Sequence, residues 1–271
     1  MSEIVKKIQV NIPFTMLCES YLDRFVKDGL NPEIGLDAAS LDRYTSRDFL
    51  TIAGVLIERG LSVTVHAPFM DLSPGSPDPA VRKVTRHRFV QMLPAVAALR
   101  PKTVVCHSGF ERNRYESFRT AWLDHSLEFW RWFGGCIREE GGRVMIENVY
   151  EKGPDELLIL LKALEEPGVG FCFDIGHQNA FGEADVGTWL EALGPFLGEV
   201  HLHDNHGDAD HHLAPGRGGA DFQSLFEFLK GRGMDRPIIT MEPHREEDLL
   251  PGLRFLEGVW PWQKDPFPKS C

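Results

Sequence analysis

Short apolar, β-branched runs alternate along this chain with longer stretches whose apolar residues fall at helical spacing. The short runs predict strands at Ile8–Ile12, Glu33–Leu36, Val63–His66, Thr103–His107, Arg143–Glu147, Gly170–Asp174, Val200–His203 and Ile238–Glu242. The longer stretches predict helices near Leu17–Lys27, Arg47–Arg59, Pro79–Leu99, Tyr115–Glu140, Pro154–Leu164, Val186–Leu193, Phe222–Gly231 and Glu246–Leu256. Each strand is thus followed by a helix. Strands with few alternating polar residues read as parallel and covered on both faces. Eight right-handed βα units close as a (β/α)8 TIM barrel. A doubly wound open sheet is the runner-up, but no glycine-rich phosphate fingerprint follows the first strand.

Local signals support this phasing. Ser46 and Asp221 are placed as N-caps, and Gly60 and Gly231 as left-handed C-caps. With 271 residues and no linker or low-complexity tract, residues 1–271 read as one barrel domain. The tail VWPWQKDPFPKSC is expected to pack on the barrel's outside, and Trp122, Trp130 and Trp132 to serve packing.

The formal net charge of -11 disfavours a phosphate backbone as partner, since non-specific nucleic-acid affinity comes from Lys and Arg. Five cysteines, an odd number without a CxxC, fit reduced thiols, with Cys106 and Cys172 as small core residues. The opening MSEIVKKIQV lacks the apolar stretch of a signal peptide. No apolar run approaches the roughly 20 residues of a membrane span. The expectation is a cytoplasmic enzyme acting on a small molecule, with no membrane partner.

The chemistry concentrates where strands end. Strands three to eight finish in His66, His107, Glu147 with Asn148, Asp174 with His177 just beyond, His201 with His203, and Glu242. In a barrel these ends share one mouth, where such enzymes keep their active sites. Imidazole and carboxylate are ligands of Zn, Mn and related divalent metals, and crowding them without solvent is costly unless they are paired or metal-bound. After strand seven, Asp210 and His212 project to one side of an extended loop. Gly216 and Gly218 are positioned to bring backbone amides near an anion. His206, His211 and His244 read as solvated rim residues, and His87 and His125 as outer-helix residues.

The segments VHAP (65–68), VVCHSG (104–109), IENV (146–149), FDIGH (173–177), VHLHD (200–204), DHHLAPGRG (210–218) and MEP (241–243) occur in that order. Together they resemble the xylose isomerase-like TIM barrels. That superfamily includes sugar isomerases and epimerases and the endonuclease IV-like enzymes of AP endonuclease family 2. In the isomerases and epimerases, the resemblance implies a single divalent ion on Glu147, Asp174, His201 and Glu242. Glu147 and Glu242 would then move a proton between adjacent carbons of a sugar, sugar phosphate or polyol, with His177 on a substrate hydroxyl. In the endonuclease IV-like enzymes, it implies three zinc ions on His66, His107, Glu147, Asp174, His177, His201, Asp210, His212 and Glu242, for phosphodiester hydrolysis. The cofactor expectation is therefore one to three ions of Zn, Mn, Co or Mg. Isomerisation is the leading reading; phosphodiester hydrolysis or another hydrolysis or lyase reaction is the alternative. The remaining substrate-binding candidates are Asn148, His203, Arg217 and Phe69, with Arg245 as a second oxyanion binder. His203 is also expected to orient ligands by hydrogen bonding. Phe69 and Met70 suit a pocket wall or lid.

Overall fold

Strands that are apolar on their outer face need cover, and helices packed around a closed sheet supply it. The computed structural model, which describes residues 3–164, 168–233 and 235–262, has this architecture. Eight parallel strands close a barrel in sequence order. They are β1 (Gln9–Pro13), β2 (Asn31–Gly35), β3 (Thr64–His66), β4 (Thr103–His107), β5 (Arg143–Glu147), β6 (Val169–Asp174), β7 (Leu197–Leu202) and β8 (Ile238–Met241). The ring closes where β1 meets β8, at Gln9↔Thr240 and Val10↔Met241. The principal helix after each strand is α1 (Leu22–Asp28), α2 (Ser46–Glu58), α3 (Pro79–Leu99), α4 (Arg119–Glu139), α5 (Asp155–Leu164), α6 (Val186–Leu193), α7 (Phe222–Gly231) and α8 (Glu246–Val259).

The boundaries shift in three places. The expected helix from Tyr115 is broken, because Arg112–Tyr115 and a 3-10 turn at Glu116–Phe118 precede α4. The N-cap of α2 is Thr45, not Ser46; the Asp48 carboxylate accepts a 2.8 Å bond from the Thr45 amide. Gly60 does take a left-handed conformation (φ 66°), but Gly231 closes α7 and the left-handed position falls on Gly233 (φ 59°). Asp221 caps α7 by accepting from the Ser224 amide at 3.1 Å.

The two strand faces differ sharply. Outward residues such as Val104, Ile146, Phe171, Phe173 and Val200 join Trp130, Phe133 and Trp189 in one continuous core. Inside the barrel, Val105, Met145 and Cys172 form only a small apolar cluster. Around it lie Glu33, Thr64, Glu199 and Thr240, all fully buried. Thr64 donates to Glu33 at 3.2 Å, Asn11 donates to Glu33 at 3.0 Å, and Thr240 donates to Glu199 at 2.8 Å. The floor beneath the mouth is thus polar and partly hydrogen-bonded, with Glu199 Oε2 left without a hydrogen-bond partner among the described residues. A register shift between Phe171 and Cys172 sets Asp174 beside His201.

Asp204 organises the loop after β7. Its Oδ2 accepts from the amides of Gly216 (3.0 Å) and Gly218 (2.7 Å), and its Oδ1 from those of Asn205 (2.9 Å) and Ala220 (3.1 Å). A Cβ at Gly218 would lie 2.1 Å from the Asn205 carbonyl oxygen, so only glycine fits. This corrects the anion-binding reading of Gly216 and Gly218: their amides are taken by an internal carboxylate. Trp260 and Trp262 are buried, and Trp262 donates to the Leu229 carbonyl at 3.2 Å. Residues 263–271, the rest of the expected packed tail, lie outside the described residues. Trp122 and Trp130 are fully enclosed, whereas Trp132 lies at the edge with the Arg86 guanidinium 3.8 Å from its ring centroid. Among the described residues no helix is long and apolar enough to cross a membrane.

Replacing Asp204 by Ala would strand four amides. We expect a loss of roughly 3 kcal/mol, because hydrogen bonds to a charged acceptor are the strong ones and are not additive. Guanidinium unfolding of chelated protein measures this; a loss under about 0.5 kcal/mol, the range of an ordinary surface substitution, would contradict the role.

Candidate metal centre

The C-terminal strand ends place three imidazole and carboxylate clusters side by side. At the first, His66 Nε2 and His107 Nε2 approach the same oxygen of Glu147, Oε2, at 3.2 and 3.1 Å. At the second, His201 Nδ1 faces Glu242 Oε1 at 3.0 Å, Glu147 Oε1 at 3.1 Å and Asp174 Oδ2 at 3.9 Å. At the third, Asp210 Oδ2 receives His212 Nε2 at 3.1 Å and His177 Nε2 at 3.4 Å. Glu147, with one oxygen in each of the first two clusters, joins them. All nine residues expected as ligands are therefore brought together.

For three of the imidazoles the far nitrogen meets a backbone carbonyl. His66 Nδ1 meets that of Ala67 at 2.9 Å, His177 Nδ1 that of Asn148 at 3.0 Å, and His212 Nδ1 that of Glu242 at 3.3 Å. A carbonyl only accepts, so the proton of each neutral ring sits on Nδ1. The Nε2 lone pairs then point at carboxylate oxygens, and something positive must lie between. A proton or a divalent ion meets that need. Oxygen and nitrogen donors about 2.0–2.1 Å from a tetrahedral zinc lie about 3.3 Å from one another, and the observed separations bracket that spacing. The residues fit a metal.

Without an ion, protons do the bridging. Burial opposes charge on His66, but Glu147, with help from Glu33 and Glu242, raises it to about 9. Burial likewise opposes charge on His177, and Asp174, Asp210 and Glu147 raise it to about 10. His107 is held down by burial, with His66 and His177 adding repulsion. One imidazolium on the shared Glu147 oxygen thus excludes the second. Burial also opposes the Glu147 and Glu242 charges; His201 outweighs it, aided by His107 at Glu147 and His212 at Glu242, so both stay below the ordinary carboxylate range.

Sequence reasoning missed several participants. Glu33 lies on β2 with Oε1 3.3 Å from His201 Nε2, a charge contact behind the ring that lacks hydrogen-bond geometry. Its signal was a lone acid inside an apolar strand. Glu199 is a second buried acid, pushed up to about 8 by burial and by Glu33. His244 is exposed at the mouth, as expected of a solvated rim residue, and in addition stacks on His212 at 3.5 Å. His206 and His211 are exposed as expected. His87 is exposed on α3 and His125 half-buried on α4.

The candidate substrate contacts divide. Phe69 stacks on His107 at 4.3 Å and lines a cavity of about 340 Å³ with His66, Tyr150, Phe181 and His244. Met70 is 74% exposed on the same loop. Asn148 is occupied: its amide donates to the Asp174 carbonyl at 2.8 Å and accepts from the Asp174 amide at 2.9 Å. It ties β5 to β6 and does not line the cavity. Arg217 is exposed and outside the cavity lining, and Arg245 pairs with Glu247 at 3.6 Å. Among the described residues no Lys or Arg lines this cavity itself, but Arg114 lines an adjoining one that shares Phe69, His107 and Tyr150.

A barrel of this topology with acids and imidazoles at its C-terminal mouth defines a TIM barrel with a candidate metal site at that mouth. Residues 32–259 match the family model of the xylose isomerase-like TIM barrel, and the chain belongs to that family. It is 29% identical over 204 residues to the uncharacterized protein MJ1311 of Methanocaldococcus jannaschii, covering 73% of this chain and 69% of the relative. It is 28% identical over 212 residues to "Probable endonuclease 4" of Mycobacterium leprae, covering 73% and 80%. Among solved structures, the TTHB071 protein of Thermus thermophilus, soaked with ZnCl2, superposes with a TM-score of 0.76 at 30% identity, covering 93% and 97%. A D-tagatose 3-epimerase-like protein superposes with a TM-score of 0.78 at 23% identity, covering 93% and 97%, a likeness of fold.

The alkaline side of the stability profile should differ with and without metal. In chelated protein, His66 and His177 are raised from 6.5 to about 9 and 10. Their contribution is complete below pH 6.5 and is lost as pH rises through those values. The lowered Glu147 and Glu242 contribute above their ordinary value of 4.5 and lose that as pH falls. Melting with chelator should therefore peak between about pH 5 and 6.5 and decline towards pH 10. Zinc binds neutral imidazole, so added zinc should remove the alkaline decline. A flat chelated profile from pH 6.5 to 9.5 would refute this account.

Proposed function

We propose that this protein is a multinuclear divalent-metal enzyme that cleaves a phosphoester bond in a small molecule. The observation carrying the reading is the state of Glu147: both its oxygens are bracketed by imidazoles, as suits a carboxylate shared between two ions. Divalent ions, when bound, supply positive charge that stabilises an attacking and a departing oxygen. His66 and His107 would hold one ion with Glu147; Asp174, His201 and Glu242 would hold the next with Glu147; His177, Asp210 and His212 would hold the third. Zinc suits this nitrogen-rich set, and carboxylates admit Mn, Co or Mg at the second position.

Charge selects the substrate. The four carboxylates among the nine ligands leave two net positive charges with three divalent ions. A fully loaded mouth attracts a phosphate ester. The absence of Lys and Arg from the described lining, with the net charge of -11, disfavours a polyanion that needs many phosphate contacts. A small ester needs only the ions and a wall such as Phe69 and Tyr150 for its organic part.

A second reading is isomerisation or epimerisation of a sugar, sugar phosphate or polyol on a single ion. It is favoured by Glu147 and Glu242 both facing His201 Nδ1, which puts two carboxylates beside one position. There one Glu would remove a proton from carbon and the other return it.

Zinc-loaded enzyme should hydrolyse small phosphodiesters or monoesters from a panel. His66→Ala and Glu147→Gln should each lower kcat by about 100-fold or more, the scale on which a misplaced metal ion costs activity. Wild type that instead exchanges a carbon-bound proton of a sugar in deuterated water, and spares every ester, would reverse the order of the two readings.

A further inference from the structure

Among the described residues only three Phe, Tyr or Trp side chains are exposed: Phe69, Phe118 and Tyr150. All three line one cavity of about 610 Å³, together with the exposed Met70. Exposed apolar residues scattered singly are ordinary; gathered around one hollow they mark a binding site. The hollow lies between the loops after β3 and β4. It shares Phe69, His107, Val149 and Tyr150 with the mouth cavity, so it opens beside the His66, His107 and Glu147 cluster.

The two loops are locked together, so the hollow is preformed. At Gly109 (φ 71°) they run so close that a Cβ would lie 3.2 Å from Ser73 Cα. Across the same seam Tyr115 donates to Ser73 Oγ at 2.9 Å, and Ser73 donates to the Gly109 carbonyl at 3.4 Å. Ser108 donates to the buried Glu151 at 2.6 Å. These hydroxyls bond inward, and the surface left for a ligand is mostly ring faces and aliphatic carbon. A hydroxyl-rich sugar placed here would give up water for few new partners, which is costly, whereas a flat ring stacks. Charge narrows the choice further. Asp71 and Glu111 stand against one guanidinium, Arg114, which already approaches Glu111 at 3.5 Å. A second phosphate is therefore disfavoured, and a neutral ring is not.

We propose that this hollow receives the organic part of the substrate, and that this part is a neutral planar aromatic or heteroaromatic group on a phosphoester held at the ions. This rests on the phosphoester reading above and names its substrate class. Phe69, stacked on His107 with planes at 25°, forms the inner edge where ring and phosphate would join. Met70 and Phe118 line the hollow but not the mouth, so they would touch the ring and not the reacting phosphate.

The test is titration calorimetry of zinc-loaded protein with two non-hydrolysable probes, benzylphosphonate and methylphosphonate. Benzylphosphonate should bind at least about 20-fold more tightly, the scale on which a ring stacked on aromatic side chains contributes. Cyclohexylmethylphosphonate, apolar but not flat, should bind less tightly than benzylphosphonate. Phe118→Ala combined with Met70→Ser should cut the benzyl preference to about threefold or less. A preference that survives in this variant, or wild-type affinities within about threefold of one another, would overturn the aromatic subsite and leave the phosphoester reading standing. Zinc-loaded wild type that binds neither phosphonate overturns the phosphoester reading itself. Should the variant not fold, methionine-methyl NMR of wild type decides. A Met70 methyl signal shifted by benzylphosphonate and not by methylphosphonate supports the proposal; one unmoved by both overturns it. Wild type that sediments as a dimer, and as a monomer after Phe118→Ala, would assign the exposed rings to a second copy of the chain and overturn it too.

Discussion

The organisation of this molecule turns on the Glu147 carboxylate, buried at the end of β5 with imidazoles at both oxygens. A lone carboxylate taken out of water at this depth would cost several kcal/mol. Four histidines from β3, β4, β7 and the segment after β6 approach it. Two of them are fixed by a carbonyl, His66 and His177, and His201 has the Glu33 carboxylate 3.3 Å behind it. The mouth is therefore a set of mutually dependent positions, and the barrel is the device that brings distant segments to one place.

Beneath it, the polar floor shows how far the requirement extends. Thr64 and Asn11 donate to Glu33, Thr240 donates to one oxygen of Glu199, and Glu33 in turn faces His201. Hydrophobic filling, which would stabilise an ordinary barrel, is confined here to Val105, Met145 and Cys172. The outer core of aromatic and branched residues carries the stability of the fold.

Much of this was legible in the sequence. The short apolar runs set between helical stretches gave all eight strands, because each buried strand needs a continuous apolar run. The nine candidate ligands were legible because each sits next to a strand end or two apart in one loop. What escaped was long-range. Glu33 and Glu199 looked like stray acids, since nothing local says that β2 and β7 present them to the inside of one barrel. Asn148 looked available to substrate until Asp174 was seen to use both ends of its amide. Gly216 and Gly218 suggested an anion cradle, and Asp204, several residues earlier, turned out to occupy it. In each case the missing information was which group three-dimensional proximity supplies as partner.

The Asp204 arrangement has a bearing on how such a site can change over time. The loop that carries Asp210 and His212 is pinned by a residue just past the end of β7, so its shape is set from within its own βα unit rather than by neighbouring loops. In the loops after β3 and β4, which expose Met70 and Phe118, no carboxylate among the described residues gathers four amides in this way. New substrate preferences would thus be expected to arise on that side of the mouth, by loop drift around Phe69 and Phe118, while the half built on Asp204 stays nearly constant among descendants of a common ancestor.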